Sequence, residues 1–508
     1  MGKKSFVFNL LALVTLIIFT TSCSKKVEYV NVIPSDAAVV VSVDLKSIVS
    51  KSGFTDKINE PIQKKMLDAL KNGLGAKSFG YMEKVIKNPS ELGLSVNDKI
   101  YFFAYMPNYK LGMAAKVTDI DKLKEAFKLL ADEQACSALT ETNGYYQATV
   151  ADKSICAFNE TSLLILEAND AASNEKVAAL MTQKKENSIN SNNGFRKMTE
   201  EDGDIAAYFS FSSIPDIYLA QIKNALPKEI NPTDISFLST LNFDKGRIAI
   251  EGEMYSDNKI VTKWMEDSES KMSKLNSTFL NYFPATSLAY MSFNTNYLST
   301  YNMLGQGLES LGLEIDAKQL LASIDGDIAV ALTSLNAQGE PSITAYIEAK
   351  DDYLLQTTAA FCRSMSIGNR NLIENGEKNY IYKNGNTVVY FGMQKKHFYV
   401  TNDANIYKNI NKKVDNSMAD ALWKSEAKKS CSFMVVNMQE VLANPMFGTL
   451  MAMGGKEAEV IKIVMGECSY MDMSIPAFNK AEINIVLKDT KENVLSQIVK
   501  GISKTLIK

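Results

Sequence analysis

One imidazole is available for acid–base or nucleophilic chemistry. The only histidine among the 508 residues is His397, which lies in an apolar stretch typical of a strand. Every mechanism of the Ser-His-Asp or Cys-His type would need this side chain, and zinc sites that require two histidines are excluded. Leu164 takes the matching position in the internal repeat described below, which favours a structural role. We therefore predict no catalytic residue at His397.

Two other short motifs have the spacing of catalytic or metal-binding groups. Ser-x-x-Lys occurs at 268–271 and 425–428, but both copies fall in charged helical stretches without the companion motifs of serine acyl-enzymes. Asp-Gly-Asp-Ile-Ala occurs at 202–206 and 325–329, without the rest of a calcium-binding loop. A turn that begins a strand is the favoured interpretation. Carboxylate pairs for glycoside hydrolysis leave no spacing signature, so a hydrolase stays an alternative.

Composition narrows the class of protein further. The chain is 46% hydrophobic and 22% charged, with a formal net charge of -3. It is too polar for a polytopic membrane protein and too apolar for a disordered one. There is no basic excess, and arginine, which supplies the planar fork for phosphates and base edges, is scarce. We expect no nucleic-acid partner, no cofactor and no metal.

The N-terminus has the features of a secretory signal. Two lysines precede an apolar run over 6–19, and Ser22 and Cys23 follow. The run is shorter than the roughly 20 residues that a membrane span requires. The segment resembles a bacterial lipoprotein signal peptide, which implies removal of residues 1–22 and lipidation of Cys23, although Thr20 replaces the usual aliphatic residue. A secretory signal without lipidation is the alternative.

The remaining cysteines do not form a disulfide framework. They are odd in number, widely spaced and without a CxxC pair. Export would permit disulfides, but we expect most of these side chains to be small, buried and apolar. The five positions are Cys136, Cys156, Cys362, Cys431 and Cys468.

An internal repeat organises the rest of the chain. Four landmarks recur in the same order, with matching proline, aromatic and Asn/Asp positions. The matched segments are 33–44 with 283–294, 98–102 with 326–330, 161–170 with 394–403, and 243–250 with 478–485. The repeat predicts a tether over 23–30 and two tandem α+β domains, at 31–270 and 280–508.

The spacing of apolar residues changes along each copy and predicts its strands and helices. Short β-branched and aromatic runs predict strands. Leu123, Ala126, Phe127 and Leu130 have the spacing of an amphipathic helix, with Asp119 at its start. Hairpins in series with interleaved helices favour a mostly antiparallel sheet in each copy, with helices packed on one face. The strands predicted in the first copy are 39–45, 99–106, 111–117, 145–151, 154–158, 163–167 and 205–211.

Two apolar features have both a structural and a functional interpretation. The C-terminal segment with Val494, Ile498 and Ile502 could contact an anionic membrane, but we expect a helix packed on the second sheet. The 23 methionines, Met473 among them, could form an adaptable binding surface. We expect them to fill the core.

The pattern V-x-V-I-P-S-D-A-A-V-V-V-S-V-D near the mature N-terminus adds a resemblance. Together with the signal and the two-copy body, it is similar to a family of Bacteroidota lipoproteins whose domain has no assigned function. The resemblance covers essentially the whole mature chain. It implies an envelope location and supplies no catalytic residues.

These observations predict a non-enzymatic envelope lipoprotein with a binding or scaffolding role. We expect it at the outer membrane, held by its N-terminal lipid and facing the periplasm, with an outer-membrane protein as partner; exposure at the cell surface is the alternative location. One alternative function is a hydrolase that acts on an envelope polymer through dispersed carboxylates. Another is a binder of a lipid or other apolar ligand between the two copies.

Overall fold

The computed structural model has the α+β fold expected from the sequence, with extensive antiparallel sheet and interleaved helices. The residues described are 28–54, 60, 64, 67–68, 71, 75–105, 110–150, 153–167, 172–296, 317–336, 338–365, 371–453 and 465–507. Cys23 and the proposed signal peptide lie outside them. None of the helices in these ranges is long and apolar enough to span a membrane.

The chain forms two compact units. One comprises Met1–Thr262 with Thr490–Lys508, and the other comprises Lys263–Asp489. The expected domains were 31–270 and 280–508. They differ from these units chiefly because Thr490–Lys508 belongs to the first unit and not to the second.

The first unit is built on an antiparallel sheet. Its strands within the described residues are β1 (Ala37–Val43), β2 (Ile100–Tyr105), β3 (Lys110–Lys116), β4 (Thr140–Thr142), β5 (Tyr145–Val150), β6 (Ser154–Phe158), β7 (Ser162–Glu167), β8 (Ile205–Ser210), β9 (Ser236–Asp244) and β10 (Arg247–Tyr255). Hydrogen bonding joins them in the order β10–β9–β8–β1–β2–β3–β7–β6–β5–β4. The predicted strands of this copy are confirmed to within two residues at each end.

Helices connect these strands. Those that the structure describes are α1 (Leu45–Ser52), α2 (Ala76–Lys87), α3 (Ile120–Asp132), α4 (Ser173–Thr182), α5 (Asn193–Glu200) and α6 (Asp216–Ala225). The predicted amphipathic helix is α3, where Leu123, Ala126 and Phe127 are buried. The Asp119 carboxylate caps it by accepting bonds from the first backbone N–H groups.

Helices cover both faces of this sheet, so the expectation of one covered face is wrong. Ala114 belongs to a core with Phe195 of α5, whereas its neighbour Ala115 points the other way, into a core with Phe127 of α3. The cause is visible in β6 and β7, which are buried at almost every residue. An unbroken apolar run, in contrast to an alternating one, needs cover on both faces.

The second unit is also built on antiparallel strands, which we call the second sheet. Its strands within the described residues are β11 (Ala289–Asn294), β12 (Ile324–Leu335), β13 (Pro341–Ala349), β14 (Asn371–Glu374), β15 (Asn379–Asn384), β16 (Thr387–Gln394), β17 (His397–Thr401), β18 (Ser432–Asn437), β19 (Cys468–Ala477) and β20 (Lys480–Leu487). They pair in the order β20–β19–β18–β11–β12–β13–β17–β16–β15–β14. This order is that of the first unit, strand for strand.

The second sheet is also packed on both faces. Tyr346 lies in a core with Phe279 and Trp423, and its neighbour Ile347 packs with Leu354 and other residues on the opposite side. In the rest of the described residues, the helices are α7 (Lys259–Glu269), α8 (Ala317–Ala322), α9 (Tyr353–Ser364), α10 (Ala404–Lys408), α11 (Lys424–Lys429), α12 (Met438–Ala443), α13 (Pro445–Met453) and α14 (Val494–Ile507).

The C-terminal helix α14 packs on the first unit, which corrects the expectation that it covers the second sheet. It contacts α1 and β9, and Val494 is buried. The residues just before it are tied to the β9–β10 turn. Asn493 Nδ2 donates to the Phe243 carbonyl at 2.6 Å, and Gly246 N donates to the Glu492 carbonyl at 2.8 Å.

Candidate functional site

His397 occupies a packing position. It begins β17 opposite Glu348 of β13, and its ring lies 5.2 Å from the ring of Phe279 and 5.9 Å from that of Tyr282. These aromatic neighbours come from the 3-10 turn Thr278–Tyr282. These ring contacts favour a packing role for His397.

The first Asp-Gly-Asp motif places a buried carboxylate between elements. Asp204 is 2% exposed and directly precedes β8. Its oxygens accept from Lys51 Nζ at 2.7 Å, from the Ser47 hydroxyl and from Phe243 N at 2.7 Å. The carboxylate thus joins α1 to β9. The predicted turn before a strand is present, but the burial of its second aspartate was not predicted.

The second copy of the motif lies within β12, so the expected turn before the strand is wrong there. Asp327 is fully buried. It accepts from the backbone N–H groups of Asn276 at 2.9 Å and Ser277 at 3.0 Å, and from Asn294 Nδ2 at 3.0 Å. Burial raises the pKa of the Asp327 carboxyl, and the hydrogen bonds oppose that shift in part.

Glycine is required beside this carboxylate. Gly326 has φ +143, and a Cβ there would lie 1.8 Å from Glu348 Oε2. Glu348 accepts from both Asp327 N at 3.1 Å and Asn276 Nδ2 at 2.8 Å. Both acids therefore hold the chain before β11 in place. Within the described part of the chain, no three acidic, histidine or cysteine side chains group as metal ligands.

The cysteines match the expectation of buried apolar residues. Cys156, Cys362, Cys431 and Cys468 are buried and Cys136 is half-buried, all as thiols. Burial raises the pKa of the Cys136 thiol to about 11, so it is protonated and unreactive at neutral pH.

A cleft of about 210 Å³ in the first unit is lined mostly by polar side chains. We call it the polar cleft. It lies where β8 and β10 end, β9 begins and α5 begins. It is lined by Asn192, Gly194, Tyr208, Ser210, Ser212, Thr233, Asp234, Ser236, Tyr255, Ser256, Asp257 and Asn258.

Neutral groups hold both carboxylates of the polar cleft. Asp257 accepts from Asn193 Nδ2 at 2.8 Å and from the Tyr255 hydroxyl. Asp234 accepts from Asn258 Nδ2 at 2.8 Å. Both carboxylates are exposed to solvent. They are oriented by amides and a phenol, and each keeps lone pairs that a ligand can use.

Two tyrosines complete the polar cleft. Tyr208 is a core residue, 1% exposed, whose hydroxyl accepts from Asn192 Nδ2 at 2.7 Å. Burial, followed by the hydrogen bond to Asp257, raises the pKa of Tyr255 to about 12. The Tyr255 hydroxyl is therefore a stable donor at neutral pH.

The sequence did not reveal the polar cleft. Its residues come from 192–258 without a fixed spacing, and only the fold brings them together. The available signal was the clustering of Asn, Asp and Ser around 231–234 and 256–258, which indicates turns. Turn chemistry alone does not distinguish a connection from a binding site.

A row of methionines is exposed on the second sheet. Met291 of β11 lies opposite Met434 of β18, which in turn lies opposite Met473 of β19. Residues opposite one another share a face, and the three are 40%, 42% and 37% exposed. We call them the methionine row. The expectation that Met473 fills the core is therefore wrong.

Comparison with known proteins gives a family. Residues 29–495 match the profile of a family described as a domain of unknown function, DUF4836. Because the match covers most of the chain, the chain belongs to this family. No curated protein matches.

Two solved structures show a distant likeness. "Structure of crystal form IV of TP0453" is 11% identical, with a TM-score of 0.26 over 45% of this chain and 81% of that chain. "Structure of crystal form I of TP0453" is 10% identical, with a TM-score of 0.24 over 48% of this chain and 85% of that chain. Likeness at this level supports no inference about this protein.

Proposed function

We propose that the protein is a non-enzymatic, lipid-anchored protein of the bacterial cell envelope that acts by binding. The observation that carries this proposal is the polar cleft, where both carboxylates are exposed and already oriented by neutral donors. Such a site is arranged for hydrogen bonding to a ligand.

The same geometry is unfavourable for acid catalysis. A carboxylic acid that holds its proton at neutral pH generally sits in an apolar pocket or beside a second buried carboxylate. Asp234 and Asp257 are exposed to water. Three carboxylates are buried within the described residues, all outside the cleft. Asp204 and Asp327 accept hydrogen bonds that join structural elements, and Asp472 accepts from Asn484 Nδ2 of the neighbouring strand at 3.0 Å. His397 packs against aromatic rings.

The proposed location rests on the N-terminal segment. The apolar run over 6–19 followed by Ser22 and Cys23 is typical of a lipoprotein signal. We propose lipidation of Cys23, an outer-membrane site facing the periplasm and an outer-membrane protein as partner. An origin in Bacteroidota is part of the same proposal.

We further infer that the two units arose by tandem duplication. Their identical strand order supports this inference. The matched segments 33–44 and 283–294 contain β1 and β11, which are equivalent in that order. Pro34 also bridges to Ser188, as Pro284 bridges to Ser417 in the second unit.

Cross-linking in native membranes tests the binding role. Cells expressing the tagged full chain are cross-linked, and the protein is purified beside Cys23→Ala. We expect wild type to retain a stoichiometric envelope partner that the unanchored variant loses. Recovery of wild type as a monomer without a partner would contradict the proposal.

A hydrolase is the second candidate, because Asp234 and Asp257 share the polar cleft. The test is the release of reducing ends from purified envelope polysaccharide by wild type and by Asp257→Asn. We expect no turnover by either protein. Turnover that Asp257→Asn abolishes would establish the hydrolase in place of the binding protein.

A further inference from the structure

The methionine row brings three thioether sulfurs together on one face of the second sheet. Met291 lies directly opposite Met434, and Met434 lies directly opposite Met473. Residues directly opposite one another on antiparallel strands have Cβ atoms about 4.5–5.5 Å apart. A methionine side chain is unbranched and flexible, so the two outer sulfurs can turn towards the central one. The row can therefore direct three sulfur lone pairs at one point above β18.

The residues that continue the row are aliphatic. Val330 of β12 lies opposite Met291, and Ile483 of β20 lies opposite Met473. Neither side chain carries a charge or a hydrogen-bonding group. Along this line of the sheet, from Val330 to Ile483, the only side-chain atoms able to bind an ion are the three thioethers.

The fold does not require methionine at these positions. In the first unit β1, β8 and β9 take the places of β11, β18 and β19 in the strand order. The same pairing there joins Val41 to Ala207 and Ala207 to Ser239. The matching line of the first sheet is thus built from smaller side chains without sulfur. Packing of the common fold therefore does not explain three methionines in the second unit.

Thioether chemistry selects the class of ion. Methionine sulfur is neutral, polarizable and soft, and soft sulfur ligands select Cu(I), whereas Mg²⁺, Ca²⁺ and Mn²⁺ prefer carboxylate and carbonyl oxygens. We propose that the methionine row binds a single Cu(I) ion through its three sulfurs. This site is separate from the polar cleft and requires no ligand there.

The row is accessible, and the competing thiols are not. Its three methionines are 40%, 42% and 37% exposed, so an ion reaches the sulfurs without opening the fold. Cys431 and Cys468 of the same unit are buried as thiols. Burial raises the pKa of both thiols, which disfavours the thiolate form that binds metals.

Competition with a coloured Cu(I) chelator tests the proposal. The full mature chain, purified without its lipid, is titrated into the Cu(I) complex of bicinchoninate in the absence of oxygen. We expect the colour to fall until one Cu(I) has been transferred to each chain. X-ray absorption at the copper edge should then show three sulfur ligands and no nitrogen or oxygen ligand.

Two variants locate the bound ion. Met434→Leu removes the central sulfur and nearly conserves the side-chain volume, so we expect the chain to fold and to bind Cu(I) at least tenfold more weakly. Met254→Leu is the matched control. Met254 is a half-buried strand residue that lies opposite Phe237 and not opposite another methionine. We expect the control to bind as wild type does, and circular dichroism checks that both variants are folded.

Three results would overturn the copper assignment. One is no transfer of Cu(I) from the chelator to wild type. Another is unchanged affinity in Met434→Leu, which would assign the ion to the cysteine thiols. The third is nitrogen or oxygen in the copper ligand shell. The cross-linking experiment with Cys23→Ala is independent of these outcomes and judges the proposed function separately.

Discussion

Single carboxylates decide much of the local structure in this protein. In each Asp-Gly-Asp motif the first aspartate, Asp202 or Asp325, is exposed, and the second, Asp204 or Asp327, is buried. The buried carboxylate accepts backbone N–H groups from a distant segment in both cases. Burying a charge is costly unless it is hydrogen-bonded, so these bonds are required.

Asp327→Asn should change the pH dependence of stability. Burial raises the pKa of Asp327, so its contribution to the free energy of unfolding is complete below the ordinary Asp pKa of about 4 and is lost as pH rises through the raised value. The stability advantage of wild type over Asp327→Asn should therefore grow as the pH falls from 7 to about 4. Urea denaturation at both pH values measures it.

The matched control for this prediction is Asp325→Asn, which alters the exposed carboxylate of the same motif. We expect the control to keep the pH dependence of wild type. An advantage of wild type over Asp327→Asn that shrinks on acidification would show that the sign of the pKa shift is wrong.

Asp204→Ala should destabilise the first unit. The change leaves Phe243 N and Ser47 without their acceptor, and an unsatisfied buried donor costs about 1–3 kcal/mol. Lys51 is 30% exposed, so water can solvate it in the variant. We therefore expect the free energy of unfolding to fall by an amount within this range. Chemical denaturation measures it. Asp202→Ala is the control, and an equal loss in both variants would refute the assigned role.

At the scale of elements, the methionine row has a measurable chemical consequence. Thioether oxidation follows exposure. Met291, Met434 and Met473 are each more than a third exposed, whereas Met198 and Met418 are buried. Under dilute hydrogen peroxide, peptide mapping should show sulfoxide at the row well before the buried pair. Equal rates in the folded protein would contradict the assigned exposure; equal rates in urea are the control.

Helices and strands could be predicted from the sequence where apolar residues recur with one clear spacing. β6 was predicted with its observed limits, and α3 was predicted from its buried stripe. The unbroken apolar run of β7 favours cover on both faces, but a short run of this kind cannot be distinguished by its periodicity from a buried helix segment, so it did not decide the prediction. The polar cleft was not predicted because its side chains come together only in the fold. The burial of Asp327 was not predicted because the same motif occurs in an exposed turn and in a bulged strand.

At the scale of the whole molecule, the C-terminal segment completes the first unit. Deleting Thr490–Lys508 removes α14 from α1 and removes the bonds to the β9–β10 turn. Hydrogen-exchange mass spectrometry should show faster exchange in Leu45–Ser52 of the truncated chain, with Ser432–Asn437 of the second unit unchanged. Unaltered exchange in α1 would contradict the placement of this helix.

We propose that a lipid on Cys23 attaches the whole molecule to a membrane. Labelling growing cells with radioactive palmitate, followed by capture of the tagged chain, tests this claim most directly. We predict label on wild type, no label on Cys23→Ala, and retention of label on Cys136→Ala, which alters a cysteine within the folded chain. An unlabelled wild-type chain, or label that persists in Cys23→Ala, would contradict the account.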